Sequence, residues 1–158
     1  MNIRTYTPED LDAVVRLSLA AWAPVFESIE QAMDPEVYRV FYPDWRITQR
    51  KAVEEACATE GMSVWVAMVD SEVAGFVATR LHQDDSMGEI YMVAVDPAFH
   101  RQGIAGALTE FATEQLRQAG MSVAMVDTGG DPGHGPARAL YESQGYRKLP
   151  VARYFKKL

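Results

Sequence analysis

Hydrophobic and polar positions along the chain change period several times, and each change marks an element. Asn2 to Tyr6 ("NIRTY") alternates and is rich in β-formers, which predicts a first strand. Thr7-Pro8-Glu9-Asp10 reads as a helix start, with Thr7 as N-cap, Pro8 at the first helical position and Asp10 three residues after the cap. Leu11, Val14, Val15, Leu17, Ser18, Ala21 and Trp22 then recur on one side of a helix that Pro24 is expected to end or bend. Residues 25–60 are less regular, crowded with Phe26, Tyr38, Phe41, Tyr42 and Trp45, and a helix is expected from about Ile47 to Thr59. "MSVWVAMVD" and "VAGFVATRLH" are two strands joined at Asp70-Ser71-Glu72, a hairpin by spacing, and "GEIYMVAV" is a third. Ile104, Leu108, Phe111, Ala112, Gln115 and Ala119 return to helical spacing before Gly120, a C-cap. The apolar run in "MSVAMVDT" predicts a strand buried on both faces. "GPARALYESQ" is a short helix closed by Gly145, and "YRKLPVARYFKKL" is expected to be extended.

The resulting order is β-α-α-β-β-β-α-β-α-β. Three meandering strands before a helical crossover imply an α/β protein with a mixed sheet flanked by helices, rather than a fully parallel doubly wound one. A length of 158 residues fits one domain over residues 1–158.

The stretch "VDPAFHRQGIAGALTEF" goes against helical propensity. Gly103, Ala105, Gly106 and Ala107 crowd the opening of the fourth helix, although each glycine costs a helix interior about 1 kcal/mol relative to alanine. A strand running into a small-residue turn and a helix is an anion site, because the free N–H groups of the first turn and the helix dipole both favour negative charge. Close helix–sheet packing would also account for small residues. A mononucleotide P-loop loses its main support, since no lysine lies between Lys51 and Lys148. Gly103 and Gly106 do not have the spacing of a dinucleotide fingerprint, and the turn follows the fourth strand rather than the first.

Composition narrows the ligand. A net charge of −7 argues against a general nucleic-acid binder and suits a cationic acceptor such as an amine, besides keeping the protein soluble. No apolar run is long enough to span a membrane, and the first ten residues lack a secretory apolar core. A single cysteine, Cys57, forms no internal disulfide, and no cysteine–histidine cluster resembles a metal site. A cytoplasmic location and no metal are therefore expected.

"VAVDPAFHRQGIAGALTEF", followed some thirty residues later by "ARALYESQGY", resembles the GCN5-related N-acetyltransferase (GNAT) superfamily. The family's acyl-CoA loop, [QR]-x-x-G-x-[GA], aligns with His100-Arg101-Gln102-Gly103-Ile104-Ala105, and His100 departs from it at the first position. The later motif L-Y-E-x-x-G-[FY] matches Leu140, Tyr141, Glu142, Gly145 and Tyr146. The resemblance covers essentially the whole chain. It implies a mostly antiparallel sheet splayed between its fourth and fifth strands, and acetyl-CoA as acyl donor. The pyrophosphate would lie on the N–H groups of Arg101, Gln102, Gly103, Ile104, Ala105 and Gly106. The pantetheine arm would pair with Val93, Ala94 and Val95, with the Val93 N–H polarising the thioester carbonyl. His134 stands where the family usually has a cofactor-contacting asparagine, and Arg138 either reaches a phosphate or covers the helix surface.

Acyl transfer to an amine needs a neutral nucleophile, yet alkylammonium groups have pKa values of about 10, so a base, a water chain or uptake of the minor neutral amine is required. Glu89 is the first candidate for the base. Plain alternation puts it on one face with Tyr91, Val93 and Val95, and in family members that use a glutamate of this strand it likewise precedes the pantetheine-binding position by six. Tyr91, Asp127 and His134 are alternatives. Tyr141 matches the family's usual general acid. The early aromatics form either an aromatic cage for the acceptor or part of a core or dimer interface, and a homodimer stays open. The expected activity is direct N-acetylation of a small-molecule primary amine. A protein N-terminus or lysine as acceptor, or a non-catalytic acyl-CoA-binding regulatory module, are the alternatives.

Overall fold

A computed structural model describes all 158 residues. The chain runs β1 (Asn2–Thr5), α1 (Leu11–Ala32), α2 (Pro35–Phe41), α3 (Trp45–Ala58), β2 (Met62–Val69), β3 (Glu72–His82), β4 (Met87–Val95), α4 (Ile104–Gln118), β5 (Val123–Val126) and α5 (Gly135–Ser143). The five strands form one sheet in sequence order; β1 to β4 are antiparallel and β5 joins β4 in parallel. The α/β mixed sheet expected from the element order is therefore the architecture found.

Local chemistry explains the turns. The Thr7 N–H donates to Asp10, whose buried carboxylate also takes both amino groups of Arg4 at 2.7 and 2.8 Å, locking β1 to the start of α1. The β2–β3 link has two residues, Asp70 and Ser71, with φ of 47° and 69°. Positive φ at both central positions matches the right-handed twist of a tight hairpin.

The sheet is buried on both faces. Val14, Val15 and Leu17 of α1 and Val53 of α3 pack on Val64, Val66, Phe76, Ala78 and Ala94 on one side. Ile104, Leu108, Ala112 and Leu116 of α4 pack on Val77, Ile90 and Val95 on the other. Fully burying an aliphatic side chain of this kind stabilises by roughly 1.5–3 kcal/mol.

Four expectations are corrected. Pro24 does not end α1, which continues to Ala32: tertiary packing of the helix, with Phe26 buried, outweighs the hydrogen bond that a proline deletes. Residues 35–41 form a helix of their own, capped by Asp34, whose carboxylate accepts from the Glu36 and Val37 N–H groups. β5 is not buried on both faces: it has four residues, and Val123 is exposed, because β5 has β4 as its only neighbour. Residues 146–158 join no sheet; Pro150 lacks an N–H for a ladder, and Leu149, Val151, Tyr154 and Leu158 are exposed, while Phe155 rests against Phe41.

Candidate active site

β4 and β5 pair only from Met87↔Val123 to Ile90↔Val126. Beyond that point the strands part, and the β5-facing edge of β4 from Tyr91 to Val95 is left without a strand partner. A cavity of about 610 Å³ opens there. Its walls are Ile90 to Val95, the turn residues His100, Arg101 and Gly103 to Gly106, Trp22 of α1, and Val126, Gly133, His134 and Tyr141 from the far side.

The turn entering α4 is set by its sequence. Asp96 accepts from the Ala98 N–H at 2.9 Å and starts a short 3₁₀ turn at Pro97. The His100 Nε2 lies 3.2 Å from the Val95 carbonyl oxygen, and since a carbonyl only accepts, Nε2–H donates and ties the turn to the end of β4. Arg101 and Gly103 both have positive φ, 63° and 76°. Such alternation gathers successive N–H groups into an anion-binding concavity. Ala107 is the first residue past His100 whose N–H finds a backbone acceptor, the Gly103 carbonyl at 3.0 Å.

Packing does not require glycine at Gly103 or Gly106. A Cβ at Gly103 would meet nothing within 4 Å, so its requirement is the backbone angle alone. A Cβ at Gly106 would meet Gln144 and Leu140 at 3.6 and 3.7 Å, ordinary contact distances. Gly103 and Gly106 border the cavity, whereas Ala105 also packs against the core between α4 and the sheet.

The residues expected at the site are not all brought together. Val93, Ala94, Val95, Arg101, Gly103, Ile104, Ala105, Gly106, His134 and Tyr141 line the cavity; Gln102 and Glu89 do not. The displacement of Glu89 has a definite cause. Ala78 pairs with Met92 but Thr79 pairs with Ile90, so Tyr91 is an extra, bulged residue that breaks the alternation. Gly88 abuts Leu116, and Ile90, Val93 and Val95 pack with α4, whereas Met92 and Ala94 pack with α1 and α3. Glu89 therefore points to the face opposite Val93 and Val95, correcting the shared face expected from plain alternation.

On that face the Glu89 carboxylate accepts from Arg80 Nε and from His82 Nε2, the latter at 2.8 Å. Burial alone would raise its pKa, but the hydrogen bonds and charges of Arg80 and His82 outweigh this and hold it below the usual carboxylate range. The Arg80 guanidinium also lies 4.7 Å from the centre of the Tyr91 ring, bracing the bulge.

Tyr141 is buried, with its ring 6.1 Å from that of Tyr146, and burial, with a smaller contribution from Tyr146, pushes its phenol up to about 12. It reaches the cavity from α5 as a protonated hydrogen-bond donor. Of the early aromatics only Trp22 lines the cavity. Phe26 stacks on Trp45 at 4.7 Å and meets Tyr42 edge-on at 5.1 Å, so these rings knit α1 to α3 and the chain between them. Cys57 lies outside the cavity and burial raises its pKa, the opposite of an activated thiol.

Sequence reasoning missed the architecture of the loop between β5 and α5. Asp131 accepts from Ser28 Oγ of α1 at 2.5 Å, and its other carboxylate oxygen lies 2.5 Å from His134 Nδ1. Arg138 donates to the carbonyls of Gly129 and Asp131 at 2.6 and 2.8 Å, so it holds this loop. The glycines of "GGDPGHG" were the available signal. A Cβ at Gly129 would stand 2.6 Å from the His134 ring, and one at Gly133 would stand 2.5 Å from Ser28.

Comparison with known proteins places this geometry. The profile of the Acetyltransferase (GNAT) family matches residues 26–146. A mycothiol acetyltransferase of Thermomonospora curvata is 30% identical over 107 residues, covering 68% of this chain and 35% of that protein. The chain thus spans about a third of the length of that relative. The solved aminoglycoside 6′-N-acetyltransferase of Acinetobacter haemolyticus superposes with a TM-score of 0.70 at 17% identity, covering 100% of this chain and 99% of that one. The ribosomal-protein-S18-alanine N-acetyltransferase of Escherichia coli also gives 0.70, at 21% identity, over 94% of this chain and 79% of that one. With a splayed β4–β5 edge running into a bare helix N-terminus, and a family match over most of its length, the chain belongs to the GNAT acetyltransferase family.

Proposed function

We propose that this protein is an acetyl-CoA-dependent N-acetyltransferase acting by direct transfer on a primary amine of a small molecule. The observation that carries the reading is the continuity of the cavity. An edge of β4 without a strand partner leads into a turn of free N–H groups, with the Tyr141 phenol opposite.

In this reading the pyrophosphate of coenzyme A lies on the N–H groups of Arg101 to Gly106, where the N-terminus of α4 and the Arg101 charge offset its own. Pantetheine adds to β4 at Val93, Ala94 and Val95 as an extra strand, so backbone hydrogen bonds supply affinity. The Val93 N–H stabilises the oxyanion of the tetrahedral intermediate. As the C–S bond breaks, the sulfur takes a hydrogen bond from Tyr141. A phenol at about 12 does not give its proton outright to a thiolate of reference pKa about 8.5, so Tyr141 acts mainly by stabilising developing charge. Small-molecule acceptors are favoured by the mycothiol and aminoglycoside relatives.

The test is thiol release from acetyl-CoA with a polyamine, an arylalkylamine, an amino acid and an aminoglycoside. Amine-dependent release supports the reading. Tight acetyl-CoA binding without turnover on any amine, and labelling only of macromolecules in lysate, overturns the small-molecule part in favour of a protein acceptor. No turnover of any kind favours a binding module.

A further inference from the structure

A side chain that takes a proton from the incoming ammonium would complete the reaction, and the cavity walls contain no carboxylate. The titratable or charged side chains lining it are Tyr91, His100, Arg101, His134 and Tyr141. A phenol and a guanidinium carry no basic lone pair that would take a proton from an ammonium. His100 donates Nε2–H to the neutral Val95 carbonyl and has no carboxylate partner to steady an imidazolium. His134 has one.

Asp131 is held ionised: burial would raise its pKa, but hydrogen bonds from Ser28 and His134 prevail and lower it. An ionised carboxylate only accepts, so the His134 nitrogen 2.5 Å from it must be Nδ1–H. Neutral His134 then carries its lone pair on Nε2, in a ring that lines the cavity. The pair is anchored from three elements: Ser28 of α1 bonds Asp131, Arg138 of α5 bonds the loop carbonyls, and Gly129 and Gly133 permit contacts that any side chain would block. Ser28 Oγ also accepts from the Gly133 N–H at 2.9 Å.

We propose that His134, oriented by Asp131, is the proton acceptor for the amine, a role that rests on the acetyltransferase reading above. The family resemblance implies a cofactor contact at this position; the Asp131–His134 pair supports a role in proton transfer. The ammonium gives one proton to Nε2 and becomes nucleophilic. Its nitrogen bonds to the thioester carbon, the intermediate loses a second proton, and the C–S bond breaks. One proton ends on the thiol and one in water, giving amide and free coenzyme A. Asp131 steadies the imidazolium without itself being protonated. The charged and titratable groups facing His134 are Asp131 on its own loop, Arg138 and Tyr141 on α5, and Tyr91, His100 and Arg101 across the cavity; α1 contributes Ser28 and Trp22, both uncharged.

The test combines three readouts on the full chain. Calorimetry of acetyl-CoA should give a Kd in His134→Gln within about twofold of wild type. With an amine found in the panel, kcat should fall by about 10² to 10⁴ in His134→Gln, the range for loss of a general base, and the acidic limb of the pH profile should vanish. Long-range ¹⁵N NMR of the imidazole should show the Nδ1–H tautomer in wild type and its loss in Asp131→Asn, independently of any acceptor. A Kd weakened tenfold with an unchanged pH limb would make His134 a cofactor contact and overturn the proposal. A limb retained in His134→Gln and lost in Glu89→Gln overturns it in favour of Glu89. If no amine is acetylated although acetyl-CoA binds, the parent reading falls and this one with it; if amines are turned over, only this inference is at stake.

Discussion

Replacing Glu89 by glutamine should destabilise the protein while leaving coenzyme A binding intact. Glu89 is 7% exposed, and its carboxylate accepts charge-assisted hydrogen bonds from Arg80 and His82. Such bonds are worth roughly 1.5–3 kcal/mol each when formed to a charged group. Glutamine keeps one accepting oxygen but loses the charge, and Arg80, nearly half exposed, can turn to water. The net cost is therefore about 2 kcal/mol, or a Tm lower by about 4–8 °C for a chain of this size. The pH dependence has a definite sign. Because the folded pKa lies below the unfolded value of about 4.3, this stabilisation is complete above that value and is lost as pH falls through the folded pKa. Thermal unfolding of wild type and Glu89→Gln at pH 7 and at pH 3.5 should show the gap narrowing at the lower pH. The reasoning is refuted if Glu89→Gln keeps the wild-type Tm at pH 7 and loses turnover, since Glu89 would then be a base and not a strut.

Gly103→Ala should cost about 1–2 kcal/mol of stability, because φ of 76° is unfavourable for an L-residue while the added methyl meets nothing; differential scanning calorimetry checks it. Ala105→Glu puts a carboxylate into the proposed pyrophosphate cradle and should weaken acetyl-CoA binding at least tenfold, with circular dichroism unchanged; unaltered affinity would move the phosphates elsewhere. Tyr141→Phe should lower kcat by one to three orders of magnitude with little change in acetyl-CoA affinity, as steady-state kinetics and calorimetry would show. Pro24→Ala restores a donor inside α1 and should raise stability by about 1–3 kcal/mol in a denaturant titration.

Much of the molecule could be read from periodicity because local preferences and burial agree there. Leu11 to Leu17 and Ile104 to Leu116 are helical by pattern and by packing, and Asp70-Ser71 forms the tight turn that hairpin spacing implies. The small-residue turn was legible by a conflict instead: Gly103 and Gly106 contradict helical propensity, and such a conflict is expected at functional or strained positions. The misreadings arose where a distant contact overrides the local rule. Nothing near Tyr91 announces a bulge, yet that one extra residue carries Glu89 to the opposite face of β4. Pro24 forbids one hydrogen bond, but the packing of α1 on α3 and the sheet outweighs it. Ser28 and Asp131 lie 103 positions apart, so no local pattern could pair them. Only the glycines around His134 hinted that the backbone had to fit closely around something.

The most direct test of the central claim is a crystal structure of the protein with acetyl-CoA. The account predicts the pyrophosphate on the N–H groups of Arg101 to Gly106, the pantetheine along Val93 to Val95, and the thioester sulfur within reach of the Tyr141 hydroxyl. A cofactor bound away from the β4–α4 turn, or a turn that stays empty at saturating acetyl-CoA, would contradict it.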